Sequence, residues 1–139
     1  MSDERPIPYD PEAERAVLGL AMFNEPGRQT VLDTLAVSEF HLPFHGRVFA
    51  ALATLHHQSR PCDPKFVADE IAATAQEQDV LRQILADAPM SIRLAFYVER
   101  VAACAALRRT IGYAYEVGEA AREQRTDDVR ILLRDVEKM

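Results

Sequence analysis

Four histidines are the residues of this chain best suited to metal binding or acid–base chemistry. His41 and His45 are four residues apart, but Pro43 lies between them and forbids the helical geometry that would bring both rings to one ion. His56 and His57 are adjacent, so on a helix their side chains point about 100° apart. No cluster of cysteines or carboxylates stands beside them at ligand spacing. The pattern favours structural or solvated histidines, and we predict no metal site.

Carboxylates and lysines do not form a catalytic pattern either. The acidic residues Asp10, Glu12 and Glu14 stand at a helix start, as do residues 127 and 128, where capping and the helix dipole account for them. The two lysines, at positions 65 and 138, lie outside any Gly-Lys-Ser/Thr phosphate loop. We predict no catalytic residue, no cofactor and no nucleotide-hydrolysing motor in this chain. A buried titratable pair would be the feature that favours an enzyme instead.

The elements that position these residues are predicted to be helices. Apolar residues recur at spacings of three and four, and no segment alternates apolar and polar residues for more than a few positions. The fold class is therefore all-α. We predict a globular head of about five helices in residues 1–90 and a helical hairpin in residues 91–139, within a single domain. An extended strap carrying Pro6 and Pro8 precedes the first helix, which Asp10 caps with Pro11 in the first position.

Four further head helices follow from the same spacing. They are predicted at Pro26–Leu35, from Phe44 to about His57, after Asp63, and roughly at Gln76–Ala86. The residues predicted to face the core are Ala13, Val17, Leu20, Ala21, Val31, Leu32, Leu35, Val48, Phe49, Leu52, Leu55, Phe66, Val67, Ile71, Val80, Leu81, Ile84 and Leu85.

The segment Ser91–Glu123 contains no proline and predicts one helix of about 33 residues, near 50 Å long. A head this small cannot cover such a rod, and the rod carries two apolar stripes. We expect a last helix, capped by Thr126, to fold back on one stripe through Val129, Leu132, Leu133 and Val136. The other stripe is left for another subunit. The residues predicted to mediate self-association are Tyr97, Val101, Leu107, Ile111, Tyr115 and Gly118.

Basic residues on the same helix admit two interpretations. Arg100, Arg108 and Arg109, with Tyr113, form a possible docking patch for a phosphate group or an acidic partner, or they form the solvated side of the helix. Gly112 and Gly118 inside a helix each cost up to about 1 kcal/mol relative to alanine, and close approach of another helix would explain them.

Composition limits the cellular setting and the partners. The formal charge is −6 over 139 residues, so binding to DNA through the phosphate backbone is disfavoured and we expect contact with DNA only indirectly. No apolar run reaches the roughly 20 residues needed to cross a bilayer, and the first residues, MSDERP, do not read as a secretory leader. Cys62 and Cys104 predict reduced thiols. A cytoplasmic protein with no membrane contact is expected.

Four short segments of the sequence occur in an order that is typical of one protein family. They are IPYDPEAERAVLGL at residues 7–20, FHLPFHGRVF at residues 40–49, Arg60-Pro61-Cys62-Asp63, and Ala88-Pro89-Met90-Ser91. Together they resemble the N-terminal domain of DnaB-type replicative DNA helicases. The resemblance implies a domain that assembles and docks partners during DNA replication. Hairpins would pair into dimers, three dimers would form a ring, and primase or a helicase loader would be recruited.

The resemblance also has departures and leaves alternatives open. The Gly-Gly pair and the Tyr-Leu that the family carries near the fifth helix correspond here to Gln76, Glu77, Val80 and Leu81. The alternatives are a separately encoded short protein that loads or inhibits a helicase, and a small helical regulator that binds DNA or a transcription partner. The position of His45 in the family's Pro-x-His turn predicts a residue that caps or braces the third helix.

Overall fold

The computed structural model describes residues 5–138, and the regular secondary structure in this range is entirely helical. Short 3-10 turns at Val37–Glu39 and Ser91–Arg93 precede the third and sixth α-helices. The α-helices are α1 (Pro11–Phe23), α2 (Glu25–Thr34), α3 (Pro43–His57), α4 (Pro64–Ile71), α5 (Ala75–Ala86), α6 (Leu94–Arg122) and α7 (Thr126–Glu137). The predicted all-α architecture of a five-helix head followed by a helical hairpin is confirmed.

Helix α1 lies at the centre of the head, and its start is fixed by local chemistry. The Asp10 carboxylate accepts the backbone N–H of Ala13 at 2.9 Å, and Pro11 occupies the first turn. Residues 16–22 are all buried, so the helix is covered on every side in its second half. Gly19 permits the closest approach, because a Cβ there would lie 2.6 Å from the carbonyl oxygen of Ile84 in α5. The predicted cap and inward stripe of α1 are confirmed.

The head core contains most of the predicted residues, with one error in α5. This helix begins with a capping box in which Thr74 Oγ1 accepts the Glu77 N–H at 3.1 Å and Glu77 Oε1 accepts the Thr74 N–H at 3.0 Å. Leu81 and Ile84 are buried, whereas Val80 is exposed. Val80 lies about 100° around the helix from Leu81, so the prediction that it faces the core is wrong.

Helix α6 is one unbroken rod, as predicted, although it is 29 residues long and its first three expected residues form a 3-10 turn. Its first half belongs to the head, where Leu94, Val98, Val101, Cys104 and Ala105 are buried. The part of α6 after Ala105 projects from the head.

Helix α7 returns antiparallel along the second half of α6. Gln124 adopts a left-handed backbone with φ of 58°, which reverses the chain. Val129, Leu132 and Val136 are partly buried, whereas Leu133 is exposed, so its predicted contact with α6 is wrong. Thr126 is the first helical residue and no side chain caps this helix, which corrects the predicted cap. No helix in residues 5–138 is long and apolar enough to cross a membrane.

Candidate assembly and docking surfaces

Helix α6 has three faces, and each has a different neighbour. One face packs into the head through Val98, Val101 and Ala105. A second face lies against α7, where Ala120 is fully buried and Tyr113 and Val117 are partly buried. The third face is exposed along the whole helix. The two stripes predicted from the sequence therefore correspond to the head-facing face and to this exposed face.

Two residues of the predicted self-association set are occupied inside the monomer. Val101 is 1% exposed and lies in the head core, so its predicted place on a self-association surface is wrong. The spacing that selected Val101 reflects packing of α6 on its own head. Tyr97 is half-buried and lines a cavity of 570 Å³ between α1, the end of α5 and α6. Arg15 and Asp87 pair at the rim of this cavity at 3.1 Å.

The remaining residues of the set lie where the rod has left the head. Leu107 and Ile111 are 51% and 50% exposed, and Tyr115 is 69% exposed. Gly118 is partly buried, and a Cβ there would meet only the Arg122 side chain, at 3.7 Å. Apolar side chains of this size on a surface are typical of a site that contacts another molecule.

Tyr115 also forms a groove with the returning helix. The groove has a volume of 370 Å³ and lies between α6 and α7, with Ile131 and Leu132 on its far wall. Glu119, Arg125 and Asp128 supply its polar rim. Ile131 is exposed like Tyr115, so the hairpin presents apolar groups from both of its helices.

The sequence analysis missed a further part of the exposed face. Phe96, on the first turn of α6, is 65% exposed, and Ile92 and Met90 just before it are also exposed. Phe96 stands seven residues before Ala103, which is exposed too, and Ala103 stands four before Leu107. Extending the four-three spacing toward the start of the helix would have found it.

The predicted arginine patch does not form as one surface. Arg100 pairs with Asp10 at 3.0 Å, whereas Arg109 is exposed. Arg108 donates to the backbone carbonyl oxygens of Pro8 at 3.0 Å and Glu39 at 2.8 Å. At about 100° per residue the three side chains point in different directions. Arg108 therefore fastens the root of the hairpin to the strap and to the turn before α3.

Asp10 joins the strap, α1 and α6. Its carboxylate accepts from the Ala13 N–H and from Arg100 Nε. The Ala13 N–H, and after it Arg100, lower the pKa of Asp10 below its usual range. The ring of Tyr9, next in the strap, lies 4.5 Å from the ring of His41. The strap predicted from Pro6 and Pro8 is thus held on the head at three points, which include Arg108.

The head contains a buried titratable pair that the sequence analysis did not find. Glu14 is 1% exposed and His45 4% exposed, and Nδ1 of His45 lies 2.8 Å from Oε1 of Glu14. The same carboxylate accepts the backbone N–H groups of His41 at 2.8 Å and Leu42 at 3.4 Å. Burial alone would raise the pKa of Glu14, but these hydrogen bonds outweigh it and lower the pKa.

This pair has the environment of a structural brace. In the described part of the chain, no buried side-chain nitrogen or oxygen lacks a hydrogen-bond partner. The cavities described above are lined by other residues. Glu14 fixes the loop at His41 and Leu42 to α1, and His45 holds the start of α3. The predicted bracing role of His45 is confirmed, and the account of Glu14 as an ordinary helix-start carboxylate is wrong.

The other candidate ligands lie apart. His56 contacts Gln29 through Nε2 at 2.8 Å, whereas His41 contacts Tyr9. Within residues 5–138 no group of three His, Cys, Asp or Glu side chains is arranged to hold a metal ion. Cys62 and Cys104 are both buried free thiols, and burial raises the pKa of Cys62.

Comparison with known proteins agrees with the fold. The family model of the DnaB-like helicase N-terminal domain matches residues 6–103. The replicative DNA helicase DnaC of Bacillus subtilis is 30% identical over 142 residues, covering 98% of this chain and 31% of the relative. The replicative DNA helicase DnaB of Geobacillus stearothermophilus is 25% identical, covering 97% of this chain and 31% of the relative. The chain thus spans about a third of the length of these relatives.

Two solved structures have a fold similar to that of this chain. The N-terminal domain of DnaB helicase from Mycobacterium tuberculosis superposes with a TM-score of 0.86 at 23% identity, covering 93% of this chain and 99% of that one. The corresponding domain from Helicobacter pylori, described with its interactions with primase, gives a TM-score of 0.70 at 26% identity, covering 79% and 89%. The fold of this chain is therefore that of a known domain, and the chain belongs to the DnaB-like helicase N-terminal domain family.

Proposed function

We propose that this chain is the assembly and partner-docking domain of a DnaB-like replicative helicase, which pairs with a second copy through its hairpin and recruits primase or a loader during DNA replication. The observation that supports pairing most directly is the exposed face of α6. Leu107, Ile111 and Tyr115 expose half or more of their side-chain surface on successive turns, and burying such groups is the main driving force of association.

The head is built to hold the hairpin in a fixed direction. Arg108 fastens α6 to two backbone carbonyls at the level where it leaves the head, and Arg100 ties it to Asp10 about two turns lower. A rod held at two levels keeps its orientation, so two copies can align their hairpins reproducibly. In this proposal the chain fixes the relative orientation of the subunits. Ring symmetry then follows from pairing of the hairpins, with three dimers in a ring.

Partner docking is the second part of the proposal. The Helicobacter pylori domain is described with its interactions with primase, and we extend primase, or a loader, to this chain as the partner. The cavity between α1, α5 and α6 and the exposed Met90, Ile92 and Phe96 are the head surfaces available to it. We expect the domain to act in the cytoplasm, without catalysis of its own, and to meet DNA only through its partners.

Sedimentation equilibrium of the whole chain and of two matched variants tests the pairing. Ile111→Glu places a charge on the exposed face of α6, and we expect it to convert a dimer into a monomer because an unpaired charge is costly to bury. Val80→Glu is the control, since Val80 is an exposed valine on α5 in the head. Circular dichroism checks that both variants remain helical. A wild-type chain that stays monomeric at high micromolar concentration would contradict the proposal.

A further inference from the structure

Helix α6 has one turn that neither the head nor α7 covers. Arg109, Thr110, Ile111 and Gly112 are all exposed. Four residues span slightly more than one turn, so this stretch is open in every direction around the helix axis. The structure describes every residue of α6, and nowhere else in this helix are four consecutive residues exposed. We call residues 109–112 the neck. The backbone hydrogen bonds of a turn without packed neighbours open more easily than those of a buried turn.

The neck also carries two residues that weaken a helix. Glycine is the least favourable residue of a helix interior after proline, and a Cβ on Gly112 would meet nothing within 4 Å, so packing does not require a glycine there. The hydroxyl group of Thr110 donates to the carbonyl oxygen of Ala106 at 2.9 Å. A threonine that bonds the carbonyl four residues before it competes with the helical backbone, and such bonds often accompany bends. Exposure and residue type therefore identify the same weak turn.

The rod is held firmly on the head side of the neck. Arg108 donates to the carbonyl oxygens of Pro8 and Glu39, and Arg100 pairs with Asp10. These contacts act on α6 up to residue 108, immediately before the neck. They fix the direction in which the root of the rod leaves the head.

The hairpin is held together on the other side of the neck. Helix α7 packs against α6 where Tyr113 is partly buried and Ala120 is fully buried. Arg125, in the connection between the two helices, pairs with Glu123 at 2.8 Å and with Asp128 at 2.9 Å. The neck therefore joins two bodies that are each stiffer than itself.

We propose that the neck is a hinge about which the hairpin bends as one body relative to the head. The proposal goes beyond the proposed function, because it concerns movement within one chain and holds for a monomer as well as for a dimer. A bend of about 20° at the neck would move the far end of α6, about 15 Å away, by about 5 Å. A partner that contacts both the head and the hairpin would favour the bend that it fits best.

Coverage of the neck by another molecule would not by itself remove the hinge. A second copy that packs on Ile111 shields one side of the helix. Thr110 and Gly112 lie about 100° from Ile111 in opposite directions. The turn therefore keeps two open sides when its apolar side is covered.

Pulsed electron paramagnetic resonance measures the bend. Spin labels on Gln76→Cys in the head and on Asp127→Cys at the far end of the hairpin report the distance between the two bodies, and both positions are exposed. Labelled chains are diluted into unlabelled wild type, so that each measured distance lies within one chain. Cys62 and Cys104 are buried, and wild type taken through the same labelling measures their background. We expect a broad distribution of distances, and Gly112→Ala should narrow it because alanine stiffens the neck.

Gly118→Ala is the matched control. It makes the same substitution in the same helix, at a partly buried position in the hairpin, where a Cβ would meet only the Arg122 side chain at 3.7 Å. It should leave the distribution of distances unchanged. Equal narrowing by Gly118→Ala and Gly112→Ala would mean that stiffening anywhere in α6 sets the width, and it would overturn the hinge.

Hydrogen exchange gives an independent measurement. The amides of residues 113–116 donate to the carbonyl groups of the neck, so they should exchange faster than those of residues 98–105. Gly112→Ala should slow their exchange by about fivefold, the factor that corresponds to the helix propensity of alanine over glycine. Thr110→Ala should also slow it, because the competing hydroxyl bond is removed. Uniform protection along α6, or a wild-type distribution of distances as narrow as that of Gly112→Ala, contradicts the proposal.

Discussion

At the scale of single residues, Glu14 has a larger structural role in the head than the sequence motifs suggested. The sequence places it in the first turn of α1, where a carboxylate is ordinarily explained by the helix dipole. In the folded chain it is buried and holds the loop at His41 and Leu42 and the ring of His45, up to 31 residues away. The Glu14 side chain therefore joins α1 to α3 and to the loop before α3.

Replacing Glu14 with alanine should lower the free energy of unfolding by about 3 kcal/mol or more, because it leaves buried donors without an acceptor. The loss should depend on pH. The pKa of Glu14 is lowered in the folded chain, so its contribution is present above the usual carboxyl value of about 4.3 and is lost as the pH falls through the folded value. Urea denaturation at neutral and acid pH measures both effects.

Glu12→Ala is the matched control, since Glu12 lies in the same first turn and is exposed. It should change stability little at either pH. If the difference between wild type and Glu14→Ala were the same at neutral and acid pH, the ionised form of Glu14 would not be the source of its contribution.

At the scale of elements, the two glycines of α6 are not explained by packing within the monomer. Both were expected to permit close helix approach. A Cβ on Gly112 would meet nothing within 4 Å, and a Cβ on Gly118 would meet only the end of the Arg122 side chain, at 3.7 Å. The described part of the chain therefore gives no support to close helix approach at either position.

Gly112→Ala should raise the free energy of unfolding by up to about 1 kcal/mol, the usual advantage of alanine over glycine inside a helix. It should leave self-association unchanged. The opposite sign is expected for Gly19→Ala, since a Cβ there would lie 2.6 Å from the Ile84 carbonyl oxygen and α1 and α5 would have to separate. Thermal denaturation of the two variants measures both changes in stability. A Gly112→Ala chain that is less stable than wild type would mean that the open space on the monomer is occupied in solution.

At the scale of the whole molecule, the charge of −6 and the apolar rod act in opposite directions. Two copies repel each other through their net charge, and the exposed face of α6 attracts them. Salt screens the repulsion and leaves apolar burial intact. We therefore expect self-association to strengthen as sodium chloride rises from roughly 50 to 500 mM.

Sedimentation velocity at several salt concentrations measures this dependence. Binding to nucleic acid has the reverse dependence, since it is driven by release of counterions and weakens with salt. The same titration with a fluorescent DNA oligonucleotide separates the two classes of function. Tight, salt-sensitive DNA binding by the chain alone would favour a DNA-binding regulator over an assembly domain.

The helices of this protein and most of its core follow from local sequence. Pro11 after Asp10 and Pro64 after Asp63 mark helix starts, the absence of proline in residues 91–123 keeps α6 whole, and apolar spacing identified most of the core. These features depend on residues a few positions apart, and local spacing controls them. The exposed positions Leu107, Ile111 and Tyr115 were found in the same way.

Which neighbour covers each face of α6 depends on contacts between distant parts of the chain. Periodicity shows that α6 has apolar faces, but it assigned Val101 to a partner although the head covers it. It also stopped short of Phe96, which is 65% exposed. The two hydrogen bonds of Arg108 join segments 69 and 100 residues away. Such contacts depend on where other elements cross the helix, and a periodic pattern along one helix does not contain that information.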